Sequence, residues 1–261
     1  MIRVVFNRKG GVGKSSIACN LAAVAASQGK KSLVVDLDPQ ANSTSYLGHD
    51  GKDDVVGISE FFESQIAYKY RDFKPEDFVR ETPFENLFLV SANRSLIDHE
   101  QKLESRHKIY KLRDFLGALK DNFDIIFIDT PPALNFYTLS ALIASERCLI
   151  PFDCDAFSKD ALVDLIEAIE EIIDDHNADL EIEGVVINQF QARAKIPQAA
   201  VDDLKKAGYP VLEPYLSSSV KMKESHALGS PLAFLAPKHK LSQEFAELYK
   251  KLSRKKRTKK K

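Results

Sequence analysis
Between Arg8 and Ser15 the chain reads Arg-Lys-Gly-Gly-Val-Gly-Lys-Ser, residue types that suit the binding of a phosphate chain. Gly10, Gly11 and Gly13 let backbone N–H groups, that of Val12 among them, curl inward around phosphate oxygens. Lys14 extends toward the β- and γ-phosphates, Ser15 presents a hydroxyl to Mg²⁺, and Ser16 is positioned to donate to the α-phosphate. Two acidic segments follow. Asp36-Leu37-Asp38-Pro39-Gln40 places two carboxylates within approach of a phosphate-bound metal, and Ile125-Ile126-Phe127-Ile128-Asp129-Thr130-Pro131-Pro132 delivers a third. Pro131 and Pro132 stiffen the chain beyond Asp129, a suitable property in a loop that responds to a γ-phosphate. The generic pattern G-x-x-x-x-G-K-[ST] is not met, because position 8 is Arg, and Lys9 is one lysine more than that pattern requires. Singly, each motif has a plainer reading: a glycine-rich turn, a capping aspartate or a solvated lysine.

The elements that must position these groups are legible around them. Ile2 to Phe6 is an apolar stretch that reads as a buried strand, and Ser16 to Gln28 has helical composition ending at Gly29, a C-cap. Strand, glycine loop and helix in that order aim the positive end of the helix dipole at the same anion. Further strands are expected at Ser32 to Asp36, Leu87 to Ser91, Asp124 to Asp129, Cys148 to Pro151 and Val185 to Asn188. Helical patterns cover His107 to Leu119, Lys159 to Asp175, Gln198 to Ala207 and Leu241 to Leu252. Uninterrupted apolar strands imply burial on both faces. The expected class is therefore α/β, a mainly parallel twisted sheet flanked by helices, with ligands at the carboxyl ends of the strands. Asp50 to Glu85 has no clear period, and short helices are expected there.

A chain of 261 residues with 44% hydrophobic residues can bury a sizeable core. The expected organisation is one domain over 1–249 and a basic, disordered tail over 250–261. Nine of the 37 Lys and Arg residues, and none of the 38 Asp and Glu residues, fall between Lys250 and Lys261, so the body is acidic by about ten charges while the whole chain is −1. Such a tail suits polyphosphate surfaces. No apolar run approaches the roughly 18 residues of a membrane span, and Leu241 to Leu252 has too few bulky apolar residues for a lipid anchor. A strand beginning at residue 2 leaves no room for a signal peptide. Cys19, Cys148 and Cys154 show neither C-x-x-C spacing nor a disulfide framework, which favours a reduced, cytoplasmic setting.

The segment Lys9-Gly10-Gly11-Val12-Gly13-Lys14-Ser15 resembles the deviant Walker A motif of the ParA/MinD superfamily of P-loop ATPases, and Asp36-Leu37-Asp38-Pro39-Gln40 resembles its D-x-D-P-Q switch I. The strand ending in Asp129 resembles a Walker B strand running into switch II. The resemblance implies ATP and Mg²⁺ as cofactors and a homodimer that forms on ATP, with Lys9 reaching the phosphates held by the partner subunit. Lys9, Lys14 and Asp38 would be catalytic, Asp38 orienting the attacking water, while Ser15, Asp36 and Asp129 would surround the metal. Asn188, at the end of a strand, is a candidate for reading the base, although an Asn there also suits a turn.

The C-terminal half, with Ser219-Val220-Lys221-Met222-Lys223-Glu224-Ser225 and Pro237-Lys238-His239-Lys240, looks like ParA proteins of DNA-segregation systems. That likeness implies non-specific DNA binding by Arg193 and Lys221, with Lys223, Lys238 and Lys240 as neighbours of the right charge. It also implies a nucleoid-associated protein and a ParB-like or other adaptor that stimulates hydrolysis. The early strand leaves out the helix-turn-helix extension that many plasmid relatives carry. Two alternatives remain open on sequence: a MinD-like membrane-cycling regulator and a P-loop amide-forming ligase.

Overall fold
The computed structural model describes residues 1–48, 56–67, 73–154 and 159–253. Its strands are β1 (Ile2–Val5), β2 (Ser32–Asp36), β3 (Arg80–Glu81), β4 (Leu87–Val90), β5 (Ile125–Asp129), β6 (Arg147–Asp153), β7 (Glu181–Asn188) and β8 (Val211–Leu212). They form a single sheet in the order β3-β4-β2-β5-β1-β6-β7-β8. Every pairing is parallel except the short antiparallel β3 against β4. The four central strands are buried along nearly their whole length, as uninterrupted apolar runs require.

Helices cover both faces. On one lie α1 (Lys14–Ser27), α2 (Asn42–Tyr46), α10 (Leu232–Leu235) and α11 (Lys240–Ser253), whose apolar residues share a core with Val34, Leu89, Phe127 and Leu149. On the other, α3 (Ile58–Ser64), α4 (Leu96–Ser105), α5 (Lys111–Leu119), α6 (Phe136–Ala144) and α7 (Lys159–Asp175) pack over Val4, Leu33, Val35 and Ile128. α8 (Lys195–Lys206) adds Val201 and Leu204 to this second core, whereas α9 (Val220–Ala227) sets Met222 against the first.

The composition of α1 explains its central place. Its alanines let it pack without large side chains, and residues Ile17 to Ala26 are all buried. Gly29 closes it in the left-handed region, φ 77°, with its N–H on the Ala26 carbonyl at 2.9 Å.

All six expected strands are present, and two-residue β3 and β8 add to them. Two expectations need correction. The helix expected from His107 starts at Lys111, because His107 takes a left-handed conformation, φ 53°, in the turn that closes α4. Lys250 and Lys251, assigned to the tail, form the last turn of α11, where positive charge faces the negative end of the helix dipole. The tail expected from residue 250 is therefore helical through Ser253, and residues 254–261 lie outside the described residues. The short helices expected within 50–85 are α3 and a 3₁₀ turn at Pro75–Phe78, beside segments outside the described residues. No helix among the described residues is long and apolar enough to cross a membrane.

Candidate functional site
β1 sits between β5 and β6, and the loop that leaves its carboxyl end runs from Asn7 to Gly13 into α1. Asn7, completely buried, fixes the start of the loop: its amide donates to the Pro151 carbonyl at 2.7 Å and its oxygen accepts the Lys9 N–H at 2.9 Å. Gly11 and Gly13 take φ 78° and 93°, conformations that a side chain resists. Gly13 is required twice over, because a Cβ there would meet the Asn188 amide nitrogen at 2.2 Å.

That close approach shows what Asn188 does in the chain. Its Nδ2 donates to the Val12 carbonyl at 2.9 Å, and Gln189 Nε2 reaches the Gly11 carbonyl at 3.3 Å. The end of β7 thus braces the loop. As a base reader, Asn188 would have its Oδ1 to offer, its amide being committed to the loop.

Parallel register sets the acidic groups side by side. β2 and β5 align Asp36 with Asp129 as direct neighbours, and β1 aligns Val5 with Asp129. Both carboxylates are fully buried. Asp36 Oδ1 accepts the Asp38 N–H at 3.0 Å, and its Oδ2 accepts both the N–H and the hydroxyl of Thr44 at 2.8 Å. Asp36, expected in the metal environment, thus stands beside Asp129 with its oxygens already engaged by the protein. Three protein hydrogen bonds turn its oxygens to organising the Asp38 loop and α2.

Asp129 is less completely partnered. Its Oδ2 accepts the Ser43 hydroxyl at 2.7 Å, whereas Oδ1 is buried with no hydrogen-bond partner among the described residues. Burial pushes the Asp36 carboxyl up, helped by the Asp129 charge, against the hydrogen bonds from Thr44 and Asp38. Burial also raises Asp129, opposed by the nearby Ser15 and Ser43 hydroxyls. Lys14, also buried, is pulled down by desolvation while Asp129 and Asp38 pull it back up. Its ammonium points back into the loop, donating to the Lys9 carbonyl at 2.9 Å.

The donor set fits a divalent ion only with help from a phosphate chain. No group of three or more His, Cys, Asp or Glu with ligand spacing occurs among the described residues. Ser15 and the orphaned Asp129 Oδ1 supply oxygens at one end of the loop. Mg²⁺ characteristically takes one or two protein oxygens and completes its shell with phosphates and water. Asp38, buried, lies at the same end, its Oδ1 accepting the Gln40 N–H at 2.9 Å.

Several residues here escape sequence reasoning. Ser43 and Thr44 of α2 hold Asp129 and Asp36; their signal was a Ser-Thr pair a few residues past Asp38-Pro39-Gln40. Tyr46, Asn20 and His226 form a second polar cluster beside Ser16, with no signal in spacing because α9 is about 200 residues distant in sequence.

A protein-family model described as "AAA domain" matches residues 1–182. The chromosome partitioning protein ParA of Myxococcus xanthus is 32% identical over 248 residues, 94% of this chain and 84% of that protein. The chain belongs to the ParA/MinD superfamily of P-loop ATPases. The sporulation initiation inhibitor protein Soj of Bacillus subtilis is 30% identical over 97% of this chain and 98% of its own. Among solved structures, a cobyrinic acid a,c-diamide synthase from Mycobacterium smegmatis with bound ATP analogue and magnesium is 26% identical, covers 96% of this chain and 93% of its own, and has a TM-score of 0.82. A ParA-like ATPase using ATP and Mg²⁺ follows from family and fold together.

The five candidate DNA-contacting residues are distributed unevenly. Arg193 is exposed on the loop beyond β7, at the carboxyl end of the sheet, and Lys223 lines a cavity shared with Gly11, Gly13 and Ser16. Lys221 is ion-paired with Glu224, and Lys240 with Glu244 at 3.5 Å. Lys238 is exposed in the turn before α11.

Proposed function
We propose that ATP joins two copies of this chain face to face, that the pair binds DNA without sequence preference, and that adaptor-stimulated hydrolysis releases it, so that DNA or another cargo is positioned. The observation that carries this reading is the loop with two lysines: Lys14 is buried over the Lys9 carbonyl while Lys9 belongs to the same turn. One lysine would serve the bound phosphates of its own chain and the other those of the partner. The loop amides from Gly10 to Gly13, with Lys14, Ser15 and Ser16, would hold the nucleotide, and Asp38 would orient water. Ser15 and, through water, Asp129 would hold Mg²⁺, which when bound offsets charge on the β- and γ-phosphates. Arg193, Lys221, Lys223, Lys238 and Lys240 would face the DNA, and the protein would then associate with the nucleoid.

Lys9→Ala tests the pairing. The variant is expected to retain nucleotide binding and to stay monomeric in sizing experiments with ATP; an unchanged ATP-dependent dimer sinks the sandwich. Asp38→Ala is expected to accumulate as an ATP-bound dimer, and its retention on DNA should need ATP and fall steeply with salt. A second reading draws on the diamide synthase likeness: amide ligation. ATP consumption that rises with a small carboxylic acid and an amide nitrogen donor, and not with DNA, would favour it.

A further inference from the structure
The contact that neither family motif nor hydrolysis uses joins α1 to α9. Ser16 Oγ lies 2.8 Å from His226 Nε2, and the two residues line one cavity of about 380 Å³ beside Gly11 and Gly13. The imidazole is held from behind. It stacks on the buried Tyr46 ring, centroids 4.0 Å apart at an interplanar angle of 16°. The Tyr46 hydroxyl is fixed in turn by Asn20 Nδ2 at 3.0 Å and by Ser225 Oγ at 2.6 Å. Asn20 also donates to the Ser16 carbonyl at 2.8 Å and accepts the Leu232 N–H at 2.9 Å. The ring that meets Ser16 is therefore fixed by a buried aromatic and by the helix that carries Ser16.

We propose that His226 is a positioning residue for the nucleotide's α-phosphate, acting through Ser16. The proposal rests on the nucleotide reading above. A serine hydroxyl has one proton, and a hydrogen bond to a phosphate oxygen uses it. If Ser16 donated to Nε2, that proton would be spent on the ring. With Nε2 carrying hydrogen, the imidazole donates to Oγ instead, the hydroxyl proton is left for the phosphate, and the oxygen that donates it is held in place. Bound nucleotide thus selects the ring form that donates, and the Tyr46 stack keeps the nitrogen where Ser16 needs it.

The test is a double-mutant cycle on the affinity of the full chain for a fluorescent ADP with Mg²⁺. Ser16→Ala and His226→Ala are each expected to weaken binding about tenfold, and the double variant should be no weaker than Ser16→Ala alone. His226→Phe keeps a ring on Tyr46 but removes the nitrogen; it should show the same loss as His226→Ala and takes its place in the cycle should the latter fail to fold. His226→Gln, which sets an amide N–H near the Nε2 position, should bind within about threefold of wild type. Independent losses that multiply to about a hundredfold would overturn the proposal, as would tighter binding by His226→Ala or a Gln variant no better than Phe. Failure of the wild type to bind the nucleotide at all would overturn the underlying reading, and the proposal with it.

Discussion

The sheet carries buried charge at both ends, and the two ends are built differently. At the amino end, Arg3 is 1% exposed, and its guanidinium meets both oxygens of Glu183 at 2.6 and 2.9 Å and the Leu252 carbonyl at 2.7 Å. That cluster is closed: positive and negative groups match, and a helix-end carbonyl takes a further donor. At the carboxyl end Asp36, Asp38 and Asp129 stand against one buried lysine, one carboxylate oxygen has no partner among the described residues, and the lysine turns back onto its own loop. Buried charge that serves the fold is satisfied within the chain. Buried charge that serves a ligand is left incomplete, at a cost the fold must absorb.

The widest break in this comparison should come from opening the closed end. Arg3→Ala leaves Glu183 and the Leu252 carbonyl without their donor, and should cost about 3–5 kcal/mol in denaturant unfolding. ATPase activity per folded molecule should be unchanged, and a loss of activity without a loss of stability would remove the distinction between the two ends. Lys14→Ala should do the reverse, lowering phosphate release about a hundredfold while leaving nucleotide-free stability equal or higher.

Acidity sharpens the contrast next. Asp36 and Asp129 hold protons to higher pH when folded than when unfolded, so between the unfolded carboxyl pKa of about 4 and the raised folded range the native state binds more protons. Their contribution to stability is fully present below that unfolded pKa and is lost as pH rises through the folded range. Nucleotide-free protein should therefore lose stability over this window, and Asp129→Asn should flatten the slope while abolishing Mg²⁺-dependent turnover. A slope identical to wild type would deny Asp129 its uncompensated charge. The smallest effect is expected from Thr44→Val, which removes the hydroxyl shared by Asp36 and the Ala92 N–H and should cost about 1–2 kcal/mol in unfolding experiments.

What the sequence revealed followed from the range of the interactions. Ile125 to Ile128 announces its strand because burial on both faces leaves a continuous apolar run, and the loop from Lys9 to Ser15 announces itself because one backbone turn holds all of its chemistry. α2 was invisible: Asn42-Ser43-Thr44-Ser45-Tyr46 is five polar or aromatic residues with no apolar period, held by Asp36, Asp129 and Ser225 and not by its own propensity. The three hydrogen bonds that Asp36 accepts were not legible, because two of them come from Thr44, whose proximity only the fold creates. The brace from Asn188 was hidden for the same reason, since its hold on Val12 spans the sheet from β7 to the loop after β1.

The hold of Arg3 on the Leu252 carbonyl has a directional consequence. It moors the end of α11 at the pole of the sheet opposite the phosphate loop, so Ser253, the last described residue, sits away from the loop that would sense nucleotide. A chain shortened to Ser253 would keep both the mooring and the loop intact.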